Sequence, residues 1–339
     1  MVFEAAQLDR AEAALAGVAI GDALGMPSQT MTREEIASAY GRLQDFVAPI
    51  PDHPVSHGLS AAMVTDDTEQ SLLLADLLIR SSHLKFNHRA WAQALIDWEA
   101  GVRKRGLRDL LGPSSKRALK ALMAGEPVSE TGHSGTTNGA AMRIAPLAIT
   151  TPHRDLEFLV DRVAEVCLVT HNTREAIAAA AAVATVVSCG VEGSTFDAAL
   201  PLALDAAHLG ARLGAAVGEA DMAARIAGAI EVARLGDEAG LARRIGTSVA
   251  SAESVATAFG VVSLAKGDPW LAAVIAANIG DDTDTIGAIA TGMAGACAGM
   301  SAYPSDKVAR VTEVNGLHLN RVAKELLSVR ASRNLEAAQ

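Results

Sequence analysis

The stretch Asn278-Ile279-Gly280-Asp281-Asp282-Thr283-Asp284-Thr285-Ile286-Gly287 constrains this chain more than any other. Three carboxylates and two threonine hydroxyls fall between Asp281 and Thr285, after the apolar run 270–277 and before the apolar run 286–300. So placed, they read as a helix N-terminus, where Asp and Thr cap free backbone N–H groups and the macrodipole favours negative charge. One cap needs one acceptor, however, and carboxylates crowded into one turn repel one another. A hard divalent cation relieves that repulsion, because Mg²⁺ and Mn²⁺ take oxygen shells of carboxylate, hydroxyl and water.

A second stretch, Met63-Val64-Thr65-Asp66-Asp67-Thr68-Glu69, repeats this chemistry ahead of the amphipathic run 71–80. Thr65 with Thr68 and Glu69 also reads as an ordinary cap. Taken singly, each turn is an unremarkable helix start. Together they would hold enough oxygens for two adjacent cations, the arrangement that clamps and activates a water for hydrolysis.

The scaffold around these turns is expected to be all-α, a single domain over residues 1–339 without repeat or linker. Half of the residues are hydrophobic but only 3% are aromatic, so Ala, Leu, Val and Ile must build the core. That composition suits helices, and no segment shows clean period-2 alternation between hairpin turns. Helical periodicity is predicted over 8–20, 69–81, 87–101, 113–124, 156–168, 195–234, 237–246, 251–266, 305–314 and 319–332, with an Ala-rich helix after Glu175. The runs 176–191 and 286–303 read as buried helices: the first is too short to span a bilayer, and carboxylates border the second. A formal net charge of −10 argues against nucleic acid or an anionic membrane as partner. Cys167, Cys189 and Cys297 lack metal-ligand spacing and read as small buried hydrophobes in a reducing compartment. The charged, helical N-terminal pattern is not that of a signal peptide, and a cytoplasmic location is expected.

Other polar positions have two readings each. Gly21 to Pro27 is predicted to end the first helix, with Asp22 as a solvated acid at its cap or a point of close ligand approach. His53 and His57 fall in a proline-rich loop and are read as loop histidines. Asp97, beside Trp98, has two readings, a helix-surface acid or a cleft-lining one, of which the first is the commoner case. The Gly/Ser/Thr loop 125–139 could cradle a phosphate or sugar through backbone N–H groups, although it lacks the Walker ending. His171 reads as a capping-loop histidine or as a ligand contact.

The ordered set Gly21-Asp22-Ala23-Leu24-Gly25-x-Pro27, Thr65-Asp66-Asp67-Thr68, Asn138-Gly139-x-x-Met142-Arg143, Thr170-His171 and Gly280-x-Asp282-Thr283-Asp284-Thr285 resembles the ADP-ribosylglycohydrolase family. The resemblance spans residues 17–300. It implies a compact all-helical fold with two Mg²⁺ or Mn²⁺ ions in a cleft, held by Thr65, Asp66 and Asp67 and by Asp282, Asp284 and Thr285. It also implies that Asp22, Gln29, Asn138, Gly139, Met142, Arg143 and His171 lie at the substrate. The implied reaction breaks the ribosyl C1″ bond, with Asp66 or Asp67 taking a proton from water. The implied substrate is an ADP-ribosylated protein or a small ADP-ribosyl adduct. Two departures set this chain apart: Gln29 stands where the family pattern has Glu, and Thr136 and Thr137 stand where an aromatic ring often meets adenine. The missing stack removes about 1–3 kcal/mol of base binding. Asp281 stands where glycine is common. These departures leave open a smaller nucleoside-like riboside as substrate, and a non-catalytic metal-binding homologue as a further alternative.

Overall fold

A computed structural model describes residues 3–81, 86–107, 111–217 and 221–336. In chain order, α1 (Ala5–Gly25) is followed by α2 (Arg33–Tyr40), α3 (Asp66–Arg80), α4 (His88–Lys104) and α5 (Pro113–Met123). Short helices α6 (Val128–Thr131), α7 (Gly139–Met142) and α8 (Ala145–Thr150) lead to α9 (Leu156–Cys167) and α10 (Arg174–Val191). Next come α11 (Phe196–Gly210), α12 (Met222–Arg234), α13 (Glu238–Arg244), α14 (Ser251–Leu264) and α15 (Pro269–Ala277). The chain closes with α16 (Thr283–Ala298), α17 (Ser305–Asn315) and α18 (Leu319–Glu336). Among the described residues, β pairing is limited to three isolated bridges, so the all-α expectation is borne out.

Many of the helices begin where the sequence supplies a cap. Asp155, Thr173, Thr195, Asp221, Asp237 and Asp268 each accept a backbone N–H from the first turn of the helix that follows. Short side chains then bring the central helices together. In α10 every residue from Ala176 to Val191 is buried, within one core cluster that also takes in α1, α14 and α16. At 18 residues α10 is long and apolar enough to cross a membrane, which corrects the expectation of a shorter run; here it packs inside the protein. The run 286–303 does not form one helix, because α16 stops at Gly299, whose φ is +84°.

The predicted end of the first helix is overturned. Gly21 to Gly25 continue α1, and Pro27 falls in a 3₁₀ turn, Met26–Ser28. These glycines are contact points. A Cβ on Gly21 would lie 2.1 Å from the Gly287 carbonyl oxygen, and one on Gly25 would lie 2.4 Å from that of Thr283. Gly17, Gly21 and Gly25 recur every fourth residue, so one bare stripe of α1 lies against α16. That crossing sets Asp22 beside the start of α16, and the site depends on it.

Candidate active site

The two acidic turns meet. Thr65 and Asp282 are the N-caps of α3 and α16, yet neither side chain caps its own helix. Instead the oxygens face one another: Thr285 Oγ1 lies 3.5 Å from Asp67 Oδ2, and Thr65 Oγ1 lies 3.4 Å from that same oxygen. A cleft of about 230 Å³ opens here, lined by Asp66, Asp282, Asp284 and Thr285 together with Gln29, Asn138, Gly139 and Met142.

Asp22 stands behind this cleft rather than in solvent, correcting the expectation of a solvated acid. It is 0% exposed and takes both the backbone N–H and the hydroxyl of Thr65 and of Thr68. A carboxylate on α1 thus replaces the missing side-chain cap of α3. Burial pushes Asp22 up to about 6, against the pull of its threonine donors.

The carboxylates carry more negative charge than their neighbours offset. Burial, then the charges of Asp66, Asp22 and Asp284, hold Asp67 well above the usual carboxylate range. Asp66 and Asp284 are raised well above it in the same way, and burial pushes Asp282 up to about 7. Asp67 Oδ1 is buried without a hydrogen-bond partner. An orphaned carboxylate oxygen amid like charges is what a cation would satisfy. Among the described residues no three His, Cys, Asp or Glu side chains converge as a ready-made ligand set. Threonine hydroxyls and water must therefore complete any coordination shell, which suits Mg²⁺, since it keeps several waters and takes few carboxylates. The donor set fits such an ion.

A buried chain of side chains backs the cleft. Asp66 Oδ2 accepts from Gln70 Nε2 at 3.3 Å, and Gln70 Oε1 accepts from Arg143. Arg143, 1% exposed, also donates to Thr170 Oγ1 at 2.8 Å and stacks over Trp91 at 5.4 Å. Burial pushes Arg143 down to about 10, which leaves it charged at neutral pH beside Asp66 and Asp67. His171 is fully buried, with Nδ1 toward Arg143 and Thr170 and Nε2 3.1 Å from Thr137 Oγ1. Facing a guanidinium donor, Nδ1 must accept, so the proton sits on Nε2. Burial and the charges of Arg143 and Arg117 hold His171 well below its ordinary value, hence neutral. Arg143 and His171 thus lie beneath the Asn138-Gly139 loop, and a Cβ on Gly139 would sit 2.9 Å from His171 Cε1. Asn138 itself spans the site, donating to Ser254 Oγ and to Asp282 Oδ2.

Several of these residues escaped sequence reasoning. Gln70 carried a usable signal, lying one helical turn after Asp66 on the same face. Thr68 stands in the quoted motif but reads as part of a cap, and Ser254 and Trp91 carried no signal. Asp97 bonds Gln93 on the exposed face of α4 and does not line the cleft. No aromatic side chain lines the cleft among the described residues; the exposed apolar side chain near Thr137 is Val249. Asp281, with φ of +63°, adopts the left-handed conformation that explains why glycine is common there.

Known proteins resemble this chain over most of its length. The profile of a family described as ADP-ribosylglycohydrolase matches residues 4–336. The chain is 34% identical over 330 residues to the uncharacterized protein YegU of Escherichia coli (strain K12), covering 96% of this chain and 98% of that protein. It is 29% identical over 335 residues to the ADP-ribosylarginine hydrolase Tri1 of Pseudomonas putida (strain GB-1), covering 94% of this chain and 78% of that protein. A solved structure described as an ADP-ribosylglycohydrolase-related protein complex matches with a TM-score of 0.69 at 24% identity, over 96% of this chain and 99% of that chain, and so shares the fold. With the resemblance borne out over nearly its whole length, the chain belongs to the ADP-ribosylglycohydrolase family of hydrolases.

Proposed function

We propose that the protein is a metal-dependent glycohydrolase that cleaves the ribosyl C1″ bond of ADP-ribosylated side chains or small ADP-ribosyl adducts, with two Mg²⁺ or Mn²⁺ ions as cofactors. One observation carries this reading: five aspartates from α1, α3 and α16 gather at one cleft, and Asp67 keeps a buried oxygen without a donor. Thr65, Asp66 and Asp67 would hold one side of the metal pair, and Asp282, Asp284 and Thr285 the other. Bound there, the ions supply Lewis-acid charge that orients ribose hydroxyls and a water.

The chain's own groups do the rest. Asp66 lines the cleft and is the base placed to take a proton from the attacking water, while Asp67 lies deeper. Gathered carboxylates suit the positive charge that builds on the ribose as the bond breaks. The N–H of Gly139, in the cleft wall, offers a donor to phosphate or ribose, whereas those of Thr137 and Asn138 go to Ser114 Oγ and the Val249 carbonyl oxygen. The net charge of −10 supports a protein-borne or small substrate over a nucleic acid. A smaller riboside is the second reading, favoured by a described cleft of about 230 Å³ that has no aromatic wall.

The test is release of free ADP-ribose from ADP-ribosyl-arginine with Mg²⁺ or Mn²⁺ and then with EDTA. Metal-dependent release is the expected result; a metal-loaded protein that releases nothing would turn the reading toward small ribosides. Asp284→Ala should abolish calorimetric metal binding and turnover while leaving far-UV circular dichroism unchanged. Full metal content and turnover in that variant would remove the proposed centre.

A further inference from the structure

One part of this acidic chain is basic. Residues 102–125 carry seven of the 29 Lys and Arg residues and a single acid, although the whole chain has a formal net charge of −10. Two of the seven are matched: Arg103 pairs with Glu99 at 2.7 Å and Arg105 with Glu69 at 2.6 Å. Helix α5 is different, because it holds Lys116, Arg117 and Lys120 and no acid. Arg117 Nη2 donates to neutral oxygens, the Ser134 carbonyl at 3.0 Å and Ser114 Oγ at 3.3 Å, so its charge stays uncancelled. Lys120 is exposed and makes no ion pair or side-chain hydrogen bond among the described residues.

The placement of these charges matters as much as their number. Ser114, Ser115, Ala118 and Leu119 are buried and hold one side of α5 against the protein. Pro113, Arg117, Lys120 and Met123 are exposed and recur every three or four residues, so they form one outward stripe. At its far end Met123 is 74% exposed. Its near end is the cleft, whose wall includes Pro113, Ser115 and Lys116 along with Asp66, Asp282 and Asp284. The stripe therefore leads away from the rim for about 15 Å, at 1.5 Å per helical residue.

We propose that the α5 stripe is a docking surface for the protein that carries the substrate, and that it takes an acidic segment flanking the modified residue. The inference rests on the glycohydrolase reading above: a modified side chain reaching into the cleft leaves its own backbone at the rim, where α5 begins. Uncancelled Lys and Arg charge complements Asp and Glu, and Arg with Met is a combination that protein interfaces favour. A nucleic acid fits poorly, since α5 offers no aromatic ring to a base and the rest of the chain is strongly acidic. An extended peptide advances about 3.3 Å per residue, so the stripe spans about four or five residues. Acidic residues within that reach of the modified one should count, and more distant ones should not.

The experiment uses three arginine-linked ADP-ribosyl peptides of equal length, with Mn²⁺ present. One has two Glu within about four residues of the modified arginine, one has them about ten residues away, and one has Gln in their place. For the unaltered protein at low salt, kcat/KM on the near-Glu peptide should exceed that on the Gln peptide by about fivefold or more, and about 0.5 M NaCl should bring the ratio toward one. The far-Glu peptide should match the Gln peptide; equal preference for near and far Glu overturns docking on α5. Lys120→Glu should also bring the near-Glu ratio toward one, through a higher KM. Lys324→Glu, the same charge change at an exposed position of α18, should leave that ratio as it is in the unaltered protein. A loss in Lys120→Glu that is equal on all three peptides overturns the inference, because the stripe would then serve a group they share, such as the diphosphate. A short single-stranded DNA that inhibits the unaltered protein but not Lys120→Glu overturns the acidic-protein assignment in favour of nucleic acid. Release from the peptides at a ratio that Lys120→Glu does not shift overturns the docking surface and leaves the glycohydrolase reading standing. Release from none of them by Mn²⁺-loaded protein overturns that reading and this inference with it.

Discussion

Asp22 does two jobs with one carboxylate. It caps α3 from another helix, because Thr65 has given its hydroxyl away, and it adds a buried negative charge behind the cluster. Removing it would orphan two backbone N–H groups and two hydroxyls, all buried. Hydrogen bonds to charged groups are worth about 1.5–3 kcal/mol each, and the group's own desolvation offsets part of their sum. Asp22→Ala should therefore lower stability by about 3 kcal/mol in denaturant unfolding and weaken Mn²⁺ binding, although Asp22 does not line the cleft. Asp22→Asn, which keeps one acceptor, should fall between. An unfolding midpoint unchanged in Asp22→Ala would show that α3 finds another cap. Asp281 is the opposite case: its left-handed φ is tolerated by Asp and free for Gly, so Asp281→Gly should change stability by no more than about 0.5 kcal/mol.

At the scale of elements, two helices without side chains at their contact set the site. Gly21→Ala would force a methyl into the Gly287 backbone, so α1 and α16 must separate. The cost belongs at or above the top of the range of about 1–3 kcal/mol for overpacking, and divalent-metal affinity should fall with it. Gly101→Ala in α4 is the control, since a Cβ there meets nothing within 4 Å. It should stabilise the helix by about 0.5–1 kcal/mol, and equal thermal shifts in the two variants would deny the close crossing its role. This contrast also explains what the sequence made legible. Helix positions followed from apolar periodicity and from turns of capping residues such as Thr170 to Glu175, which act locally. The glycines of α1 misled, because a glycine that ends a helix and one that admits a neighbouring helix look alike along the chain. The acidic turns were legible through their excess of carboxylates. Their junction was not, since Asp67 and Thr285 are 218 residues apart. The Asp22 cap was hidden for the same reason: each partner is an ordinary polar residue until the fold supplies the other.

For the molecule as a whole, the aspartate cluster links stability to pH and to metal. Every carboxylate in it has a folded pKa above the unfolded value of about 3.9, with Asp22 at about 6 and Asp282 at about 7. Between those limits the folded state binds more protons than the unfolded one, so stability falls as pH rises. The cluster's contribution is fully present below about pH 4 and is lost as pH climbs through about 6–7, the reverse of a salt-bridged aspartate. A divalent cation binds the ionised form and should restore what ionisation removes. Metal-free protein should therefore lose thermal stability from about pH 5 to about pH 8, while Mg²⁺ or Mn²⁺ at saturation should raise Tm by a few degrees at the upper end and little at the lower. Asp284→Ala, with one fewer buried charge, should show a flatter pH dependence without metal and, its metal binding abolished, no metal-induced rise. Other groups also titrate over this range, so the informative quantity is the difference between melting curves with and without cation. A difference that does not grow with pH would mean that the cation binds elsewhere. A difference that grows through pH 6–7 in the unaltered protein and vanishes in Asp284→Ala would tie folding, charge and metal to the same five aspartates.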